Sequence, residues 1–124
     1  MDIYCGVKRG QKKIFKKNQK VYTKLSEHIG LLPLVMISPE DVTLIEGGSE
    51  ERRRLIDHII CQCDRTYLHA LIRYNRALSQ RNALLKASAG RELDREALEI
   101  WDEQLIECGQ EVQQKRLDFL EDFK

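Results

Sequence analysis

No stretch of about 18 consecutive apolar residues occurs in this 124-residue chain, which excludes a membrane-crossing helix. The first five residues, Met1-Asp2-Ile3-Tyr4-Cys5, lack the basic region, apolar stretch and small-residue cleavage site of a secretory signal, so a cytoplasmic protein is expected. Cysteine is sparse and unframed: Cys5, Cys61, Cys63 and Cys108 stand apart from any turn scaffold, which argues for reduced thiols over disulfides. Cys61 and Cys63 diverge by about 200° on a helix, and His58 with Cys61 has no second pair, so no metal is expected. Nowhere does GxxxxGK[ST] occur to cradle phosphates, nor a nucleophile elbow or HExxH, so catalysis by this chain alone is not expected.

What is present is a mixture of 42% hydrophobic and 33% charged residues, which excludes a disordered tail and allows one domain or one piece of a larger protein. The net charge of +1 conceals a polarity. Residues 1–30 carry eight cations against two acids, and residues 92–124 carry eleven acids against four cations. The basic head makes Lys8, Arg9, Lys12, Lys13, Lys16 and Lys17 candidate phosphate contacts, with a solvated hairpin edge as the bland alternative.

Two short β-prone runs, 3–7 and 13–16, flank the turn residues Lys8-Arg9-Gly10-Gln11 and predict a hairpin. Residues 21–29 have the apolar spacing of a short helix closed by Gly30. Leu31-Leu32-Pro33-Leu34-Val35-Met36-Ile37 is a continuous apolar run that predicts a strand buried on both faces. Ser38-Pro39-Glu40-Asp41 has a hydroxyl cap, proline at the first helical position and acids in the first turn, predicting a short helix through Ile45 that ends at Gly47-Gly48.

Ser49 reads as a second cap, and from Glu50 to about Ala87 neither proline nor glycine interrupts the pattern. Ile56, Ile60, Cys63, Tyr67, Leu71, Tyr74, Leu78 and Leu85 advance in steps of three and four, apart from the polar Arg81 step, and predict one rod about 55 Å long. Ser88-Ala89-Gly90 ends it. A second helix is expected from near Asp94, with Leu98, Trp101, Leu105, Cys108, Val112, Phe119 and Phe123 on one stripe and Gly109 as a weak point that allows close packing or a bend. The short connection makes the two helices antiparallel neighbours. The expected fold is therefore α+β and predominantly α, with a β-containing head over 1–48 and a long antiparallel helical hairpin over 49–124.

Arg52-Arg53-Arg54 occupy the first turn of the long helix, where the macrodipole disfavours cations. Glu50 and Asp57 lie at ion-pairing spacing from them, although exposed pairs of that kind are worth only about 0.3 to 0.5 kcal/mol. The other reading gives an arginine a carboxylate on the Pro-Glu-Asp turn, or a phosphate from a ligand or partner.

Taken in order, 32–41 (LPLVMISPED), 48–57 (GSEERRRLID), Tyr67-Leu68, 74–78 (YNRAL), 80–86 (QRNALLK) and 101–105 (WDEQL) resemble the middle of the RecF family of bacterial DNA repair proteins. The resemblance covers nearly the whole chain. It implies an internal segment of an SMC/Rad50-like, ABC-type P-loop ATPase head: the end of the first lobe's sheet and the helical second lobe with its arm. By the same resemblance the whole protein would bind ATP and Mg between two protomers, dimerise on DNA and hydrolyse ATP weakly. It would act at single-stranded, gapped or junction DNA in recombinational repair, replication restart and the SOS response, alongside recombination mediators. No position here matches the Walker A, signature or Walker B motifs, so no ATP-binding or catalytic residue carries over.

The Ser38 to Asp41 turn would occupy the link between the lobes. This chain has Glu40 and Asp41 where the family commonly has a sensing Gln, so the expected relay is Glu40 or Asp41 pairing with Arg53 or Arg54. An unpaired 31–37 strand would favour self-association. The alternative function is a non-catalytic helical protein–protein interaction module, with the basic hairpin only a solvated edge.

Overall fold

The computed structural model describes residues 1–34, 36, 38–90 and 92–122, with Glu40 described by its backbone alone. The chain divides into two compact units, Met1–Ile37 and Ser38–Lys124, so the Ser38-Pro39-Glu40-Asp41 turn belongs with the helices.

In the first unit, β1 (Ile3–Gly6), β2 (Ile14–Lys17) and β3 (Lys20–Val21) form an antiparallel sheet in that order. Ile3 pairs with Lys17 and Gly6 with Ile14, so the expected hairpin is present in register. Its loop closes through the Gln11 N–H on the Lys8 carbonyl at 3.0 Å, with Gly10 at φ 76°. Asn18 and Gln19, both at positive φ, make the two-residue turn into β3, the backbone hand that suits the twist of a tight hairpin.

Two expectations for this unit are overturned. Val21 joins a strand rather than a helix, because the Tyr22 N–H reaches the Phe15 carbonyl at 3.0 Å and continues the ladder. Only Leu25–His28 forms a single tight helical turn. The run 31–37 forms no strand among its described residues; Leu32, Leu34 and Met36 are exposed, while Val35 and Ile37 lie outside the described residues. A strand buried on both faces needs a partner on each side, and Pro33 removes one ladder donor.

The second unit begins with a tight turn at Pro39–Val42 and a one-turn helix α1 (Thr43–Glu46), as expected, closed at Gly47. The helices α2 (Ser49–Cys63), α3 (Arg65–Ala87) and α4 (Arg95–Asp122) follow. The predicted single rod is thus two helices. Asp64 is extended at φ −124°, ψ 108°, and its carboxylate accepts from the N–H groups of Thr66 and Tyr67, which starts a new helix in place of continuing the old one. Asp94 likewise accepts from the Ala97 N–H at 3.0 Å and opens α4 where the sequence placed it.

Ser49 does not cap α2; its hydroxyl accepts from Arg53 at 2.8 Å instead. The core gathers Ile60, Cys61, Tyr67, Leu68, Ala70 and Val112 where α2, α3 and α4 meet. Along α3 the seam runs through Ala70 and Ala77, both essentially fully buried, whereas Leu78 and Leu85 lie at the exposed margin. Small residues admit the α4 backbone, which is why alanines displaced the leucines from the centre of the seam. The α4 stripe of Leu98, Trp101, Leu105, Cys108, Val112 and Phe119 is buried or half-buried as expected; Phe123 lies outside the described residues.

Candidate functional site

Three groups of side chains follow from this local folding. The first is the link. The Asp41 carboxylate accepts from the Ser38 N–H at 2.6 Å while the Asp41 N–H returns to the Ser38 carbonyl at 3.1 Å, a reciprocal lock on the turn. Arg53 donates to Ser49, and Arg54 pairs with Glu50 at 3.6 Å with both side chains some 70% exposed. Among the described residues Asp41 is therefore held by the turn, not by an arginine, and the Glu40 side chain lies outside what is described. The arginine that reaches back across the Gly-Gly loop is Arg52, whose guanidinium donates to the Gly47 carbonyl at 3.1 Å and to that of Leu44 at 3.5 Å. The carbonyl end of α1 supplies the negative partial charge that the N-terminus of α2 denies this cation.

The second group clamps the break between α2 and α3. Arg116 on α4 grips both oxygens of Asp57 on α2 at 2.8 Å each, and Tyr67 on α3 donates its hydroxyl to the same carboxylate. Next to it, Lys115 pairs with Asp64 at 2.8 Å. Adjacent cations of α4 thus hold Asp57 on α2 and Asp64 at the break itself.

The hydrogen bonds that Arg116 donates to Asp57 and Tyr67 raise its guanidinium above the usual value against the opposing effect of burial. Burial first, and then the Asp57 hydrogen bond, raise the Tyr67 phenol. The Lys115 hydrogen bond and the Tyr67 N–H hold Asp64 below the usual carboxylate range. Sequence reading named Asp57 only as a partner for the neighbouring arginines and Tyr67 only as a seam residue, and missed Asp64, Lys115 and Arg116. The available signals were Asp64 three residues before Tyr67 in capping position, and the Lys115-Arg116 pair in an otherwise acidic helix.

The third group is the basic hairpin. Lys8, Arg9, Lys12 and Lys13 lie together in or beside the β1–β2 loop, and all are exposed. Lys16 stands opposite Tyr4, with its ammonium 5.6 Å from the ring centre, and Lys17 opposite Ile3. Successive strand residues face opposite ways, so Lys16 and Lys17 do not share a face with each other.

Among the described residues no cluster of three or more His, Cys, Asp or Glu could hold a metal ion, and the phosphate-cradling loop has no counterpart in the sequence. Nor is any described helix long and apolar enough to cross a membrane.

Fold and site together define a predominantly α, α+β segment with two units, one a helical hairpin strapped across a capped joint and the other carrying a basic β-hairpin. No protein-family model matches the chain. It is 53% identical over 122 residues to the DNA replication and repair protein RecF of Phocaeicola vulgatus and 56% identical to that of Parabacteroides distasonis, in each case over 98% of this chain. Two solved structures of the recombination mediator protein RecF in the RecFOR pathway, with ATP and with ATPrS, match 96% of the chain at 35% identity with TM-scores of 0.87 and 0.85. The chain belongs to the RecF family. It spans about a third of the length of these relatives, 32 to 33%.

Proposed function

We propose that this chain is the link and helical-arm portion of a RecF-type DNA repair ATPase, working in the cytoplasm in recombinational repair, replication restart and the SOS response. The observation that carries this reading is identity of 52 to 56% to RecF proteins maintained across 98% of the chain. In this reading ATP and Mg bind in the remainder of the longer protein, which dimerises with ATP and meets other recombination mediators on gapped or junction DNA. The hairpin cations Lys8, Arg9, Lys12, Lys13, Lys16 and Lys17 contact phosphates, a sequence-independent contribution that positions the protein on DNA.

The link is the mechanical part. Asp41 locks the turn that carries Glu40, Arg52 bridges Gly47 and passes displacement of the turn into α2, where Arg53 and Arg54 pair within the helix, and the Asp57–Arg116 and Asp64–Lys115 pairs pass it on to α4. Charge reversal at Arg52 in the full-length protein tests this directly. ATP-dependent dimerisation and DNA binding should weaken together; both remaining at the wild-type level would refute the relay.

A second reading, a protein-interaction module, is favoured by Ile45, Ile100 and Ile106, which are 85%, 55% and 62% exposed. Self-association of the chain at micromolar concentration without any DNA affinity would support it over the first.

A further inference from the structure

The helical unit segregates charge between packed neighbours. Of the 23 residues of α3, five are Lys or Arg and none is Asp or Glu. Its partner α4 carries nine acids and three cations in 28 residues. Only part of this contrast is consumed between them, by Arg73 with Glu111 at 3.2 Å and by Arg81 with Asp102. At helical spacing Arg65, His69, Ile72, Arg76, Gln80 and Ala83 form one stripe on α3, and every one of them is exposed. Arg76 on this stripe and Lys86 at its edge form no ion pair among the described residues. Ser79, Asn75 and Asn82, exposed beside them, add neutral hydrogen-bond donors. On α4 the corresponding outer stripe holds Glu96, Glu99, Glu103, Glu107 and Glu121, all exposed.

We propose that the outer face of α3 is a second phosphate-binding surface, which lies along the backbone of a nucleic-acid duplex. The proposal rests on the DNA-binding reading above and adds a surface and a form of substrate to it. Three observations favour a duplex over other anionic partners. A 23-residue helix is about 34 Å long, close to one duplex turn of about 34 to 36 Å. Arg65, Arg76 and Lys86 are spaced about 15 to 17 Å apart along it, so they meet a repeating lattice of charge, not a single anion. The exposed stripe carries no Phe, Tyr or Trp and has His69 as its single ring, so it offers no run of platforms on which successive unpaired bases could stack. The acidic stripe of α4 repels phosphate, which leaves the hairpin one side for DNA.

The test compares the wild-type chain, Arg76→Glu/Lys86→Glu and Lys12→Glu/Lys13→Glu, with helicity checked by circular dichroism. Binding to a labelled duplex and to the matching single strand is followed by anisotropy from about 50 to 200 mM NaCl. The α3 variant should lower the log–log salt slope for duplex by about two units, one per neutralised phosphate, and change single-strand binding much less. An unchanged α3 slope beside a reduced slope in the hairpin variant would overturn this surface and leave the DNA-binding function standing. No affinity of the wild-type chain for either DNA would overturn both. Equal losses on duplex and single strand, or tighter binding to polyglutamate than to duplex, would also overturn the proposal.

Discussion

Tyr67 shows how much one side chain can decide. It is fully buried, its ring fills the junction of three helices, and its hydroxyl completes the Asp57–Arg116 pair. Tyr67→Phe keeps the ring and removes the donor, so urea unfolding followed by circular dichroism should show a loss of about 1 to 2 kcal/mol. Arg116→Ala should cost more, about 2 to 3 kcal/mol, because a half-buried Asp57 is left without its cation. The thiols divide by burial in the same way. Cys61 is buried and pushed up to about 11 by burial and by the nearby Asp57 and Asp64 charges, and Cys108 is buried; Cys5 and Cys63 are exposed. A thiol reagent at pH 8 should therefore label two cysteines promptly and the other two only after unfolding.

Helix α3 owes its start to Asp64, and this gives the joint an acid-sensitive side. The folded pKa of Asp64 lies below its ordinary 3.8, so its bonds contribute fully above that value and are lost as pH falls through the lowered one. Asp64→Asn should flatten the acid limb of the stability profile below about pH 4, measured as unfolding midpoint against pH. Gly109, open in sequence to close packing or to a bend, leaves α4 unbroken, and an added Cβ would meet the Tyr74 ring at an ordinary 3.5 Å. Gly109→Ala should raise stability by about 0.5 to 1 kcal/mol, seen as a higher midpoint in a thermal melt.

These elements also mark the reach of sequence reading. The hairpin around Gly10, the Asp94 start of α4 and the Pro39 turn were legible because each depends on residues a few positions apart. The joint at Asp64 was not, because the apolar spacing continues through it and only a side-chain cap redirects the backbone. The Lys115 and Arg116 clamp was illegible for a related reason: its partners lie about 50 to 60 positions away in sequence, and no local pattern announces them. The described residues of the 31–37 run misled by composition, since an apolar run forms a strand only where other strands accept it.

For the whole molecule, the arrangement joins a basic β-hairpin in one unit to a charge-segregated helical hairpin in the other, on a sequence that belongs to the RecF family. Net charge near zero hides both features, because the excess cations of residues 1–30 and of α3 are offset by the acids of α4 together with those of residues 31–64. Function in this account depends on where the cations stand rather than on their excess. The most direct test is the salt dependence of gapped-duplex binding by the chain and by its Lys8→Glu/Lys12→Glu/Lys13→Glu variant. The account predicts linear log–log plots, with the variant's slope shallower by about three units. Affinity that ignores salt, or equal slopes for the two proteins, would contradict it.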